Sequence, residues 1–194
     1  MKHIKIHALS NLQVLSCPSK IINLDQRSPA LEVFTDFFKR VPLIIEADCN
    51  AEDAEHLMKK AHVKMKLVVD GKGNFVGLVS LEDINSQEII KQISNGLNRK
   101  EILVEDLMKP KKNLGALDYR DIRNASISDV MKTLEKMNQQ HCLVVDKSMD
   151  EIRGLFSASD IARCLSIPLS TYEKITFKSL NREANNLRNT EFVL

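Results

Sequence analysis

A stretch of this chain occurs twice. Leu67 to Ile84 reads LVVDGKGNFVGLVSLEDI, and Leu143 to Ile161 reads LVVDKSMDEIRGLFSASDI. The tetrapeptide LVVD returns intact, and the pattern G-L-x-S-x-x-D-I returns behind it. Internal repetition constrains a fold more than any single motif, because each copy must build the same supersecondary unit. The spacing supports duplication. Asp146 follows Asp70 by 76 positions, whereas Asp160 follows Asp83 by 77. The one extra residue therefore falls between LVVD and the glycine, where Gly71-Lys72-Gly73-Asn74 faces Lys147-Ser148-Met149-Asp150. Both segments carry turn residues, and turns at the surface tolerate insertion. Upstream the 76-residue register holds, with Asn50 matching Ser126 and Asp53 matching Asp129.

Each copy reads as strand, helix, strand, strand, helix. In the first, Leu43-Ile44-Ile45 is a short apolar run after Pro42. Asn50 is a candidate N-cap with acids in the first turn behind it. Ala54, Leu57, Met58 and Ala61 then recur at helical spacing, which gives the helix one buried face. Leu67-Val68-Val69 and Phe75 to Val79 form a strand pair, and Ser80 opens the second helix. In the second copy, Tyr119 and its neighbours take the place of the first strand. Ser126 caps a helix with Ile127, Val130, Met131, Leu134 and Met137 on its inner face, the methionines serving as packing. Leu143–Val145 and Ile152–Phe156 are the strand pair, and Ser157 begins a helix that ends before Pro168. Aspartate at Val69 or Val145 is expected to abolish soluble protein, because an unpaired carboxylate in a buried strand is very costly.

This divides the chain into an extension at 1–28, a first repeat at 29–103, a second at 104–168 and a partly helical tail at 169–194. The extension is expected to pack on the first repeat, and Ile175, Leu180 and Leu187 are candidate anchors of the tail. His3 and His7, on one strand face, lie too far apart to share a metal at strand rise, and His56 and His62 read as surface helix residues.

Composition excludes several function classes. A chain of 194 residues with 43% hydrophobic residues builds a core without a metal or disulfide staple. A net charge of +2 is too small to direct it to nucleic acid. Lys109, Lys111 and Lys112 around Pro110 read as a solvated linker. The four cysteines include no C-x-x-C pair, and Cys142 reads as a small buried residue. No segment reaches the ~18 apolar residues of a membrane span, and the N-terminus lacks a signal peptide's apolar run. A cytoplasmic location is expected. The patterns H-E-x-x-H, G-x-S-x-G and the P-loop are absent, so no catalytic activity is expected.

LVVD at 67–70 and 143–146, Gly77 and Gly154, and S-x-x-D at 80–83 and 157–160 together resemble a tandem pair of CBS domains, a Bateman module. VEDLMKP at 104–110 resembles the usual lead-in to a second CBS repeat. The resemblance covers roughly residues 29–168. It implies an α/β (α+β) fold of two βαββα CBS repeats packed through their sheets about a pseudo-two-fold axis, with clefts between them. It also implies a ligand class: adenosine compounds such as AMP, ADP, ATP or S-adenosylmethionine, with no required cofactor. By this resemblance Asp83 and Asp160 would hold ribose, while Ser80 and Ser157 would face phosphate. The chemistry is compatible, since a carboxylate offers two acceptor oxygens to two vicinal hydroxyls. S-x-x-D before a helix is equally a capping signal. Arg163, one helical turn after Asp160, is a candidate bidentate phosphate donor or a solvent-facing helix residue; Ser86 holds the equivalent place in the first repeat. The family often has Gly and Pro just before V-V-D, where this chain has Met65-Lys66-Leu67 and His141-Cys142-Leu143, whose long side chains narrow a pocket. The functional expectation is a nucleotide-sensing regulatory module, homodimeric by the same resemblance, acting on a protein partner in trans, with no nucleic acid or membrane partner. The alternative is a structural dimerisation protein with non-binding clefts.

Overall fold

The computed structural model describes residues 24–84, 86–94, 96, 98–137, 139–167 and 175–191. The order of elements is β1 (Thr35–Asp36), β2 (Ile44–Glu46), α1 (Ala51–Lys60), β3 (Met65–Val69), β4 (Phe75–Ser80) and α2 (Ser86–Ser94). There follow α3 (Val104–Leu107), β5 (Lys109–Pro110), β6 (Ala116–Asp118), α4 (Tyr119–Ile122), α5 (Ile127–Leu134), β7 (His141–Asp146), β8 (Glu151–Ser157), α6 (Ala158–Cys164) and α7 (Phe177–Glu191). The expected βαββα unit is present twice, as β2-α1-β3-β4-α2 and as β6-α5-β7-β8-α6 with the one-turn α4 inserted.

The repeated residues have repeated local roles. Asn50 caps α1 by accepting from the Glu52 and Asp53 amides, and Ser126 caps α5 by accepting from Asp129, whose carboxylate returns the bond. The Asp of LVVD organises each hairpin turn. Asp70 Oδ1 accepts the amides of Lys72 and Asn74, and Asp146 Oδ1 accepts the amide of Ser148. Gly73 and Asp150 supply the left-handed residue of their respective turns, a conformation glycine adopts freely and aspartate tolerates. Both strand pairs carry a bulge at the same place, between Val68 and Val69 and between Val144 and Val145.

The strands form two four-stranded sheets, β2-β3-β4-β5 and β1-β8-β7-β6. Each contains one strand from the other half of the chain. β1 pairs with β8, Asp36 lying opposite Gly154, and β5 pairs with β4, Pro110 lying opposite Gly77. This explains the repeated glycine. A Cβ at Gly77 would lie 2.5 Å from the Lys109 carbonyl oxygen, and one at Gly154 would fall on the Thr35 carbonyl oxygen and the Phe34 ring. The two sheets meet through Leu67, Leu78, Leu143 and Leu155, which are equivalent in pairs across the duplication. On their outer faces Val68 and Val144 pack under the helices in two separate cores.

Several expectations are corrected. Residues 24–28, the described end of the extension, pack on the second repeat: the Ile127 amide donates to the Ser28 carbonyl and the Ser128 amide to that of Gln26. The cause is the β1 crossing, which carries the chain past α5 before it reaches its own sheet. Residues 1–23, with His3 and His7, lie outside the described residues. Ser80 opens a turn at 81–84, and α2 begins only at Ser86. The strand opening the second unit is Ala116–Asp118, with Tyr119 starting α4 behind it. Leu57 is 52% exposed, so the buried face of α1 is Ala51, Ala54 and Met58. His62 lies past the end of α1, with a positive φ. Val69 and Val145 are half-buried; their neighbours Val68 and Val144 are the fully buried residues.

The tail helix α7 covers the helical side of the second repeat. Phe177, Leu180 and Ala184 are buried in its core, and Asn181 Nδ2 donates to the Met131 carbonyl. Ile175 packs against the same core, whereas the Leu187 side chain lies outside the described residues.

Candidate functional site

The four S-x-x-D residues separate into two clefts of very different size. The first lies where β4, β5 and the start of β7 meet. Ser80, Asp83, Lys109, Gln140, His141 and Met65 line it, and its free volume is only about 40 Å3. Asp83 is committed to its own chain. Its Oδ2 accepts from the Ser80 amide at 2.8 Å and from the Ser80 hydroxyl at 2.6 Å. Its Oδ1 lies 3.5 Å from the Lys109 ammonium. Beside it, Gln140 Nε2 donates to Glu82 Oε1 at 2.7 Å.

His141 and Met65 also line this cleft, and Met65 packs against the inter-sheet leucines. Burial pushes the His141 imidazole down to about 4, with Asp160 and Glu82 drawing it up and Lys109 and Lys64 pushing it down. An unfolded histidine titrates near 6.5, so between that value and about 4 the unfolded chain holds a proton that the folded one does not. The neutral imidazole's contribution is complete above pH 6.5 and declines as pH falls to about 4, by up to about 3 kcal/mol. His141→Gln is therefore expected to flatten the fall in melting temperature between pH 6.5 and 4 relative to the wild type, measured by circular dichroism. Parallel curves for the two proteins would contradict the assignment.

The second cleft has a volume of about 300 Å3. Asp160 and Arg163 from α6 form one wall; Phe34, Lys39 and Arg40 around β1 and Tyr119 from α4 form the others. Here S-x-x-D adopts a different state. Ser157 is buried and caps α6, its Oγ accepting the Asp160 amide at 3.3 Å. The Asp160 carboxylate does not fold back onto that serine. It turns outward to Arg163, which donates to Oδ1, leaving Oδ2 without a partner among the described residues. The difference between the repeats lies in the residue one turn on, Arg163 here against Ser86 there. A third carboxylate of this cleft, Asp36, is taken up by Arg153 through two bonds of 2.9 and 3.0 Å, and this pairing holds it below the usual carboxylate range. Arg153 itself is stacked on the rings of Phe38 and Tyr119, 3.7 and 4.4 Å from their centroids. The mouth of the cleft therefore presents Lys39, Arg40 and the Asp160–Arg163 pair, with Glu32 as a further acid in the lining.

Asp160 and Arg163 are thus brought together in one cleft, Ser80 and Asp83 in the other, and Ser157 lies beneath α6 in the lining of neither. The solvated-linker reading of Lys109 is corrected, because Lys109 stands on the crossed strand β5 against Asp83; sequence reasoning missed Arg153 on β8 and the Phe34–Arg40 segment, which is brought in by the crossed strand β1. The one available signal for Lys109 was VEDLMKP at 104–110, read only as resembling the lead-in to a second repeat. Cys142 is buried as expected, and burial pushes its thiol up to about 11. Among the described residues no group of three or more His, Cys, Asp and Glu is placed to hold a metal ion, and no helix is long and apolar enough to cross a membrane.

Two repeats that exchange a strand, each with its own S-x-x-D cleft, define a tandem-repeat fold, and comparison with known proteins assigns it. The sequence model of the CBS domain matches residues 34–87 and again 115–167. These matches span more than half of the chain, which belongs to the CBS domain family. Among solved structures, an uncharacterized conserved protein from Pyrococcus horikoshii is 24% identical with a TM-score of 0.54, over 76% of this chain and 99% of that one. CBSX2 in complex with AMP is 20% identical with a TM-score of 0.50, over 70% of this chain and 94% of that one; CBSX2 is a CBS-pair protein from Arabidopsis thaliana. At these identities the likeness concerns the fold. No curated protein matches the chain in sequence.

Proposed function

We propose that this chain is a regulatory module that binds an adenosine nucleotide in the cleft at Asp160. The observation that carries the reading is that cleft: about 300 Å3 joining a half-free carboxylate, two aromatic rings and three cations. Small-molecule sites start at ~300 Å3, a size the Asp160 cleft reaches and the Asp83 cleft does not. Asp160 would accept the two ribose hydroxyls, the Phe34 and Tyr119 rings would flank the base, and Arg163, Arg40 and Lys39 would face phosphate. Excess positive charge favours AMP, ADP or ATP over the cationic S-adenosylmethionine. The AMP held by CBSX2 supports the ligand class. Members of the family act generally as regulatory modules, and this reading assigns the chain no catalytic step. It is a cytoplasmic homodimer in this reading, with Leu57 and Ile90 offering apolar surface for self-association, and it acts on a protein partner in trans.

A second reading, a structural dimerisation protein, is favoured by one observation, the closure around Asp83. A thermal-shift series with AMP, ADP, ATP, S-adenosylmethionine and NAD separates the two. A nucleotide at a hundredfold excess over its dissociation constant stabilises the fold by ~2.7 kcal/mol, which reads as a melting-temperature rise of several degrees. The same melting temperature with every compound would favour the structural reading.

A further inference from the structure

The Asp83 cleft is narrowed by contacts that cross between the repeats. Lys109 stands on the crossed strand β5 and reaches Asp83. Gln140, at the start of β7 in the other sheet, bonds Glu82 across a sequence separation of 58 residues. His141 and Met65 line the same small cleft. Both Asp83 oxygens are engaged, and no helix starts at Ser80. We propose that Lys109 and Gln140 form a clasp over the 80–84 turn, so that the module presents one open cleft and uses the other as a fastening between its halves. The Lys109 side chain is 50% exposed, and an ion pair so exposed is weak and sensitive to salt. The clasp is therefore one that opens locally while the sheets stay packed.

The test is amide hydrogen exchange on the full chain, comparing wild type with Lys109→Met and with Gln140→Ala. Both positions lie at the cleft mouth, and methionine keeps the lysine stem's packing. Each variant is expected to speed exchange in Leu81–Ile84, in the first repeat, by about two- to fivefold, while α5 and α7 keep wild-type rates. If exchange in 81–84 is unchanged in both variants, or rises equally throughout the chain, the clasp is wrong. A second arm rests on the nucleotide reading: equilibrium dialysis with radiolabelled AMP. One AMP per chain, protecting 158–163 but not 80–84, supports the clasp; two per chain overturn it. No bound AMP overturns the nucleotide reading alone, and the exchange result then decides the clasp.

Discussion

Val144→Asp leaves no folded protein, and Val68→Asp does the same in the first repeat. Both side chains are 0% exposed, each in the centre of a core formed between one sheet and its helices. Neither core offers a cation to an introduced carboxylate: the buried cluster around Val144 comprises Ile127, Met131, Phe156 and Ile161 among other apolar side chains. A lone buried charge costs far more than the 5–15 kcal/mol by which a domain is stable, and even the protonated acid lacks a hydrogen-bond partner there. The same change one residue on is milder. Val69 and Val145 are half-buried and face the opposite side of the strand, so Val145→Asp lowers the melting temperature yet leaves folded protein. Expression with circular dichroism reads both outcomes. Native-like spectra for Val144→Asp would mean that the helical face of β7 has been assigned wrongly.

That difference shows how far the sequence carries. A run such as LVVD identifies a strand with both faces covered, but an unbroken apolar run does not tell which face is buried more deeply. The duplication was legible because it repeats residues with specific local duties. Asp70 and Asp146 make the turns, Asn50 and Ser126 make the caps, and Leu67 and Leu143 make the inter-sheet contact. The exchange of β1 and β5 was not legible, because each crossed strand is only two residues long and pairing partners leave no periodic trace. Its sole imprint is the repeated glycine, whose reason is the neighbouring backbone. For the same cause residues 24–28 lie on the second repeat rather than the first.

The site was legible in its residue types and not in their states. S-x-x-D predicts a cap and a carboxylate in both repeats. It does not say that Asp83 turns back to Ser80 and Lys109 while Asp160 turns out to Arg163. That choice depends on a lysine from a crossed strand and on Arg163 standing where the other repeat has Ser86. Met65 and His141 were recognised as narrowing residues, and in the structure both line the smaller cleft. Arg153 was not singled out, because its partner Asp36 lies 117 residues away.

The account's central claim is that Asp160 holds a nucleotide, and calorimetric titration of wild type and Asp160→Asn with AMP and 2′-deoxy-AMP tests it most directly. Asparagine keeps the size and one acceptor oxygen but loses the charge and the second acceptor. Because Ser157, not Asp160, supplies the side-chain cap of α6, the stability change should stay within ~1 kcal/mol. Hydrogen bonds to a charged group contribute roughly 1.5–3 kcal/mol, so AMP affinity should fall about ten- to hundredfold. Asp83→Asn should leave it nearly unchanged. Wild type is predicted to discriminate against 2′-deoxy-AMP, and Asp160→Asn to discriminate less. Equal AMP affinities for wild type and Asp160→Asn, with the same preference between the two nucleotides, would contradict the account.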